Sequence, residues 1–486
     1  MPEATGGPGP ARTTPGPAGP PWRAPDGIRW GTGEWTGLRV LSDGSGGGPA
    51  DGCCTPRSGP DSEPAAGCCR TARPAAPGRT SDTARTRTGS GTGSGTPAGF
   101  AVTLCRDGRD FARLRDEWDD LRRRCSTATP FQSHAWLESW WRSYGGGGPL
   151  RVVLVRRDGR LVAAAPLTLV HRPMPLLVGL GGGISDYTDV LVADTDPDTG
   201  PSDTDAVFDA LERGLRRAAR HAVVELREVR PGAAAERLYE RWTGARGALA
   251  DSVCLELPAA PLTDLVERLP TPRAQRARAK LRKIDALGIE AVPAGPDEVP
   301  DAVARLLRLH ELQWRGRGVT VEHLRPRFAE HLVRAARRMV RDGDAALTEY
   351  RLAGEVVAVG LTLASERMTG GYLYGADPGL RERRVDVATM LLRHETGFAA
   401  GTGRRVVSLL RGAEPYKNQW RPEAVTNRRL LMAPAALEPL LRLRTAQAGL
   451  RDRTARTVAE RFPAAREWRD RLKDWQAAAV DRGDAG

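Results

Sequence analysis

Asp158-Gly159 stands between two strand-like runs, residues 151–157 and 160–170. Asp-Gly in that setting is a strong signal for a two-residue hairpin, because both central residues of the favoured turn take positive φ. A second hairpin of the same build spans residues 346–363 and turns at Ala353-Gly354, with Gly354 lying 195 residues after Gly159. Setting the two glycines together places Arg351 on Arg156 and Val357-Ala358 on Val162-Ala163. A one-residue slip then matches Leu361-Thr362-Leu363 to Leu167-Thr168-Leu169. The repeat predicts two similarly built halves. Strands and helices are mixed along both, so the expected class is α/β (α+β), with mixed sheets flanked by helices.

The halves are bounded by changes in composition. Residues 1–99 are rich in Gly, Pro, Ala, Thr, Ser and Arg without periodic pattern, and read as a disordered tail. Trp22, Trp30 and Trp35 are its one cluster of large side chains. The first half is expected over 100–258 and the second, carrying the candidate site, over 259–433. A basic helical extension, 434–486, follows, with Leu437, Leu440 and Leu441 and then Val458, Phe462, Trp468, Leu472 and Trp475 as its apolar positions.

A net charge of +13 and a pI near 9.9 raise nucleic acids and anionic membranes as partners. Arginine nevertheless supplies all but four of the 73 cations, and that skew, beside abundant Ala, Gly and Pro, follows GC-rich codon usage. No DNA partner is expected. The seven cysteines are adjacent pairs in the tail (Cys53-Cys54, Cys68-Cys69) or isolated (Cys105, Cys125, Cys254). Neither metal-ligand spacing nor a disulfide framework emerges, which points to no metal and a reducing compartment. With no charged-then-apolar leader and apolar runs far short of the ~20 residues that span a bilayer, the expectation is a cytoplasmic chain without a transmembrane segment.

Within the first half, residues 110–125 read as one helix with Phe111, Leu114, Trp118 and Leu121 inward. Ser133 then caps a short helix bearing Trp136, Trp140 and Trp141. The second half opens with a basic helix over 271–288, which is either a solvated face or a binding face for an anionic substrate or carrier. A helix over 301–317 carries Val303, Leu307, His310 and Trp314 on one face. Another over 386–400 carries Val387, Leu391, His394 and Phe398. A histidine on an apolar face is usually a satisfied core residue. His310, whose helix ends at Trp314-Arg315-Gly316, is the better functional candidate of the two. Tyr372 and Tyr374 alternate along a strand that ends at the turn Asp377-Pro378-Gly379.

The densest cluster of reactive side chains lies at residues 409–420. A buried strand, residues 406–410, leads through Arg411-Gly412 into a loop with Glu414, Tyr416, Lys417 and Trp420. Lysine is rare in this chain (Lys280, Lys283, Lys417, Lys473), and one in such company supplies a compact, titratable charge that arginine does not.

Five motifs in order resemble a known family: Thr129-Pro-Phe-Gln-Ser-His-Ala-Trp with Trp140-Trp141; Ser185-Asp186-Tyr187-Thr-Asp189; Leu309-His310 with Trp314-Arg-Gly-Arg-Gly318; Tyr374-Gly-Ala-Asp377-Pro; and Leu410-Arg-Gly-Ala-Glu414-Pro-Tyr416-Lys417 with Trp420. Over residues 100–433 the chain resembles GNAT-superfamily acyltransferases of the CelD/BcsL type, relatives of the FemAB aminoacyltransferases. The resemblance implies two tandem GNAT-like halves. It also implies transfer of an acyl group, from acetyl-CoA or another acyl-CoA, to a small-molecule, saccharide or peptide acceptor through an amine or hydroxyl. Two positions depart from the family pattern. Ser408 stands where an aspartate is usual. Asp386, in Arg383-Arg384-Val-Asp386, stands where the pyrophosphate-binding loop has glycine, and an acidic side chain there repels phosphate.

Direct transfer needs a base, donors for the developing oxyanion and a proton for the leaving thiolate. The expected base is Glu414 or Asp377, and the expected proton donor is Tyr416 or Tyr374. Lys417 and Arg411 are expected to hold phosphate or oxyanion, and His310 to position the acceptor. Trp314, Trp420, Asp186 and Tyr187 complete the substrate-binding set, and Arg383 and Arg384 face the carrier. Two alternatives are an aminoacyl-tRNA donor, with the 271–288 helix on RNA phosphates, and a non-catalytic scaffold.

Overall fold

In the computed structural model the described residues are 99–194, 201–315, 320–412, 414 and 416–461, side chains at 201–203, 452 and 455–461 excepted. The tail before Gly99, with its tryptophans and cysteine pairs, lies outside them, as do Gly316, Gly318 and the aromatic residues beyond 461.

The first half runs β1 (Phe100–Cys105), α1 (Gly108–Arg113), α2 (Arg115–Arg123), α3 (His134–Tyr144), β2 (Leu150–Arg157), β3 (Arg160–His171), β4 (Pro175–Gly179), β5 (Leu191–Val192), α4 (Pro201–Ala218), β6 (Val223–Val229), α5 (Ala234–Arg241) and β7 (Ala245–Pro258). Two helices join it to the second half, α6 (Leu262–Glu267) and α7 (Thr271–Ala286). The second half runs β8 (Glu290–Pro293), α8 (Val299–Trp314), α9 (Pro326–Arg341), β9 (Ala345–Leu352), β10 (Glu355–Ala364), β11 (Met368–Ala376), α10 (Gly379–Glu382), α11 (Val387–Gly401), β12 (Val406–Arg411), a short 3-10 turn (Lys417–Trp420) and β13 (Glu423–Ala433); α12 (Glu438–Arg461) follows.

Both hairpins form as the sequence predicts. Asp158 and Gly159 take φ of 48° and 80°, and Ala353 and Gly354 take 51° and 87°. The repeat extends to a detail invisible in sequence. Pairing of β2 with β3 skips Val162, and pairing of β9 with β10 skips Val357. These bulged valines are the residues that the 195-residue offset superposes. A bulge bends its strand locally, so each hairpin leaves its turn with the same bend.

One mixed sheet contains every strand of the described residues, in the order β1-β2-β3-β4-β6-β13-β7-β12-β11-β10-β9-β8, with β5 beside β3. The halves meet by exchange. Strand β13, from the second half, pairs with β6 of the first; β7, from the first, pairs with β12 of the second; and β7 and β13 lie antiparallel at the centre. Among the described residues only β4 with β6 and β11 with β12 are parallel, and each parallel pairing is three residues long.

Helices cover the sheet. Residues 110–125 form two helices rather than one, because the chain tightens at Leu114, which ends α1 and begins α2. Trp118, Trp136, Phe131 and Tyr187 share one core cluster with Val303, Leu306, Phe328 and Leu332 of the second half. Burying side chains of this size contributes about 1.5–3 kcal/mol each. Polar groups tie the same seam: the Trp136 indole donates to Ser185 Oγ at 2.8 Å, and the Tyr372 hydroxyl to the Ile184 carbonyl at 2.9 Å.

Candidate active site

The site is built where β11 and β12 part. Their parallel pairing ends at Gly370 and Ser408, although β11 continues to Ala376 and β12 to Arg411. Side chains from α8 take over the groups on β11. His310 Nδ1 donates to the Tyr374 carbonyl at 2.8 Å, and Gln313 Oε1 accepts from the Ala376 N–H at 3.1 Å. A carbonyl only accepts, so His310 carries its proton on Nδ1, and its bare Nε2 receives the Nδ1–H of His323 at 3.1 Å. Burial lowers the pKa of both rings, His323 to about 3, with His310 adding to the shift. His310 is thus a neutral ring with both nitrogens engaged inside the protein.

Strand β12 carries a bulge of its own. Ser408 faces Glu256 and Arg411 faces Cys254, so one extra residue is accommodated on β12, and Leu410 takes φ 56°. In the first half, β6 bulges in the same way against β13, and Glu228 takes φ 55°. A non-glycine residue in this left-handed region costs roughly 1–2 kcal/mol, so neighbouring contacts must hold it there. Ser408 is one of them. Its Oγ accepts from the Leu410 N–H at 3.1 Å and lies 2.8 Å from the Tyr187 hydroxyl. Its neighbour Glu256 is already gripped by Arg230 through two bonds of 2.7 Å. A serine therefore supports the bulge without adding a second buried carboxylate.

The bulge aims Arg411 back into the first half. Its guanidinium bonds Asp186 and the Gly183 carbonyl (2.8 Å), and lies 3.5 Å from Glu228. Burial opposes the charge, but Asp186 and Glu228 outweigh it and raise the Arg411 pKa. Arg411, Asp186 and Tyr187 were expected to bind substrate. In the structure Arg411 binds Asp186, and Tyr187 bonds Ser408, across the seam.

Lys417 faces inward and is 5% exposed. Its Nζ donates to the carbonyls of Arg411 (3.0 Å) and Gly412 (3.3 Å) and pairs with Glu414 at 2.7 Å. The ammonium thus closes the loop on its own backbone. Gly412 has φ 110°, and a Cβ there would meet Glu414 Oε1 at 2.6 Å, so glycine is required for the carboxylate to lie where it does. Glu414 and Tyr416 remain on the surface, Tyr416 at 42% exposure. Trp420 is buried in a cluster with Leu257, Leu269, Ala277 and Leu392. Trp314 lies beside His310, with its indole N–H buried and unpartnered. Asp377 is exposed, and its Oδ1 accepts from Gly379 N at 2.7 Å, holding the turn after β11.

Arg383 and Arg384 are exposed before α11, Arg384 at φ 55°. The start of α11 is taken by Asp386, whose Oδ1 accepts from Thr389 N at 2.9 Å while Oδ2 pairs with Lys280 at 2.6 Å. Burial works against its charge, yet these two partners hold it below the ordinary carboxylate range. A pyrophosphate does not fit this helix terminus beside an ionised carboxylate.

Glu395, on α11, went unread in the sequence. It is 7% exposed, its Oε1 has no partner, and a Cβ on Gly371 would meet its Oε2 at 2.8 Å. Burial pushes its pKa up to about 8, and the Gly371 N–H and Lys417 offset only part of that. The available signal was an acid at helical spacing from Leu392 and Ala399, on the face those residues bury. The face expected inward (Val387, Leu391, His394, Phe398) is only half-buried; Thr389, Leu392, Glu395, Thr396 and Ala399 face the core. Among the described residues no group of His, Cys, Asp and Glu is arranged to hold a metal ion. None of the described helices is long and apolar enough to cross a membrane.

Residues 272–418 match the family model described as Acetyltransferase (GNAT) domain. The match begins in α7 and ends inside the loop. No curated protein matches the chain. Solved structures similar to it include FemX (13% identity, TM-score 0.49, covering 67% of this chain and 98% of that one). A conserved protein of unknown function from Bacteroides thetaiotaomicron VPI-5482 is similar at 12% identity and TM-score 0.48 (68% and 100%). A tandem GNAT protein from the clavulanic acid biosynthesis pathway is similar at 13% and 0.36 (68% and 98%). Likenesses at these levels identify neither an activity nor a substrate.

Proposed function

We propose that the chain is a GNAT-type acyltransferase, of the CelD/BcsL kind, which passes an acyl group directly from an acyl-CoA to an amine or hydroxyl. The observation that carries this reading is the position of the family match. It covers the half in which β11 and β12 separate beside Tyr374, Glu414 and Tyr416. Parted strands give an extended thioester a slot, and the loop brings a carboxylate and a phenol to its mouth.

In the proposed step the acceptor's nitrogen or oxygen attacks the thioester carbonyl, and the C–S bond breaks. Glu414 takes the acceptor's proton, directly or through water, and Tyr416 or Tyr374 gives a proton to the departing thiolate. Arg411 and Lys417 act at one remove, by fixing the backbone that carries Glu414 and Tyr416. His310 does the same for Tyr374.

Thermal shift of the purified protein with acetyl-CoA, longer acyl-CoAs and free coenzyme A tests the donor. A ligand at a hundred times its Kd stabilises by about 2.7 kcal/mol, which moves Tm by a few degrees. A shift with an acyl-CoA supports the reading, and no shift with any of them removes it. An aminoacyl-tRNA donor would instead show salt-steep binding of RNA with coenzyme A inert.

A further inference from the structure

The carrier's phosphates need a place other than the start of α11, and the structure offers one. Arg273, Arg276, Ala277 and Lys280 follow one another at i, i+3, i+4 and i+7, along one face of α7. That face and the Lys417–Trp420 turn enclose a recess of about 310 Å³, completed by Leu269, Asn418, Gln419 and Trp420. Its size is at the lower end for small-ligand pockets.

We infer that this recess binds a phosphorylated nucleoside, with its phosphates on Arg273, Arg276 and Lys280 and its sugar or base against Asn418, Gln419 and Trp420. Arg273 and Arg276 are exposed and have no carboxylate partner among the described residues, and no acidic side chain lines the recess itself. Lys280 is shared with Asp386 at 2.6 Å, so the two arginines carry most of the free charge. Forked guanidiniums and one compact ammonium suit a pair of phosphates. Ala277 leaves open floor between the cations. Lys280 donates to Gln419 Oε1 at 3.0 Å, and since an ammonium has no acceptor, the amide's orientation is fixed. Gln419 Nε2 is left as a buried donor without a partner, the kind of group a ligand acceptor satisfies. The recess adjoins the candidate active site through the same turn that carries Lys417.

The inference rests on the acyl-transfer reading for its biological sense, but the pocket is testable without any transfer. Calorimetric titration of the whole chain would use adenosine 3′,5′-bisphosphate, the headpiece of coenzyme A, with adenosine, inorganic pyrophosphate and sulfate as controls. The bisphosphate is expected to bind more tightly than any control. The double variant Arg273→Gln/Arg276→Gln is expected to weaken it roughly tenfold or more, with Tm unchanged because both side chains are exposed. Equal binding by sulfate, or full affinity in the double variant, would overturn the pocket. So would tight binding of an RNA with no binding of the free bisphosphate. Bisphosphate binding without transfer from any acyl-CoA would sink the acyl-transfer reading and leave the pocket standing. Transfer that persists with no bisphosphate binding does the reverse.

Discussion

Arg411 and Glu395 mark the two ways in which a side chain's neighbours decide its part. Arg411 lies between Asp186 and Glu228, and truncating it strands two buried carboxylates. Breaking such a pair from one side costs about 3–5 kcal/mol, so Arg411→Ala should show that loss in chemical denaturation. A loss near zero would mean that the guanidinium is free for substrate after all. For Glu395 the sign follows from burial. Its folded pKa, about 8, lies above the ordinary glutamate value of 4.5, so the folded state holds the proton more tightly. The resulting stability is fully present below pH 4.5 and is lost as pH rises through 8. Glu395→Gln keeps the shape and never ionises. Its stability relative to the parent should therefore climb by on the order of 2–4 kcal/mol between pH 5 and 8.5. A difference that stays flat with pH would show that the carboxyl is not held neutral. Sequence pointed to Arg411 and the loop because a rare lysine stood among reactive types. It was silent on Glu395, whose character comes from burial against Gly371, a contact made across the fold.

The elements divide by how local their causes are. Both hairpins were legible because a two-residue turn needs positive φ, and Asp-Gly and Ala-Gly declare it on the spot. The inward face of α11 was not, because the face that packs mixes Thr389, Thr396 and Ala399 with Met390 and Leu392, while Val387, Leu391 and Phe398 stay half-buried. At the start of α11 the sequence sets an acidic side chain where phosphate would lie, and the structure adds more than charge to that. Asp386 is the helix cap and also the partner of Lys280. Asn caps as well as Asp, so Asp386→Asn should change stability by less than about 1 kcal/mol. It should also release Lys280, and with it strengthen pyrophosphate binding in calorimetric titration. Unchanged or weaker binding would show that Lys280 is not available to an anion.

Across the whole molecule the strand exchange decides what counts as a folding unit. Two halves of like build are readable from a hairpin repeat, with mixed sheets flanked by helices as the expected class. Sequence carries no mark of which strand a distant strand will choose, since β7 and β13 pair through backbone groups that every residue has. In the fold each half lends its last strand to the other, and the core around Trp136 draws on both. Residues 99–258 alone would leave β6 without β13, and β7 without β12 and β13, exposing unpaired edges and the apolar faces that α8 and α9 cover. Neither half should fold alone. Expressed separately, each fragment is expected to be insoluble or to show no cooperative transition in urea, whereas residues 99–461 unfold in one. Co-expression is expected to restore a soluble pair that elutes together, because the exchange needs both strands but no peptide bond between them. A 99–258 fragment that melted cooperatively by itself would show that the first half closes its sheet without the second, and the central seam would then be a docking surface between two domains.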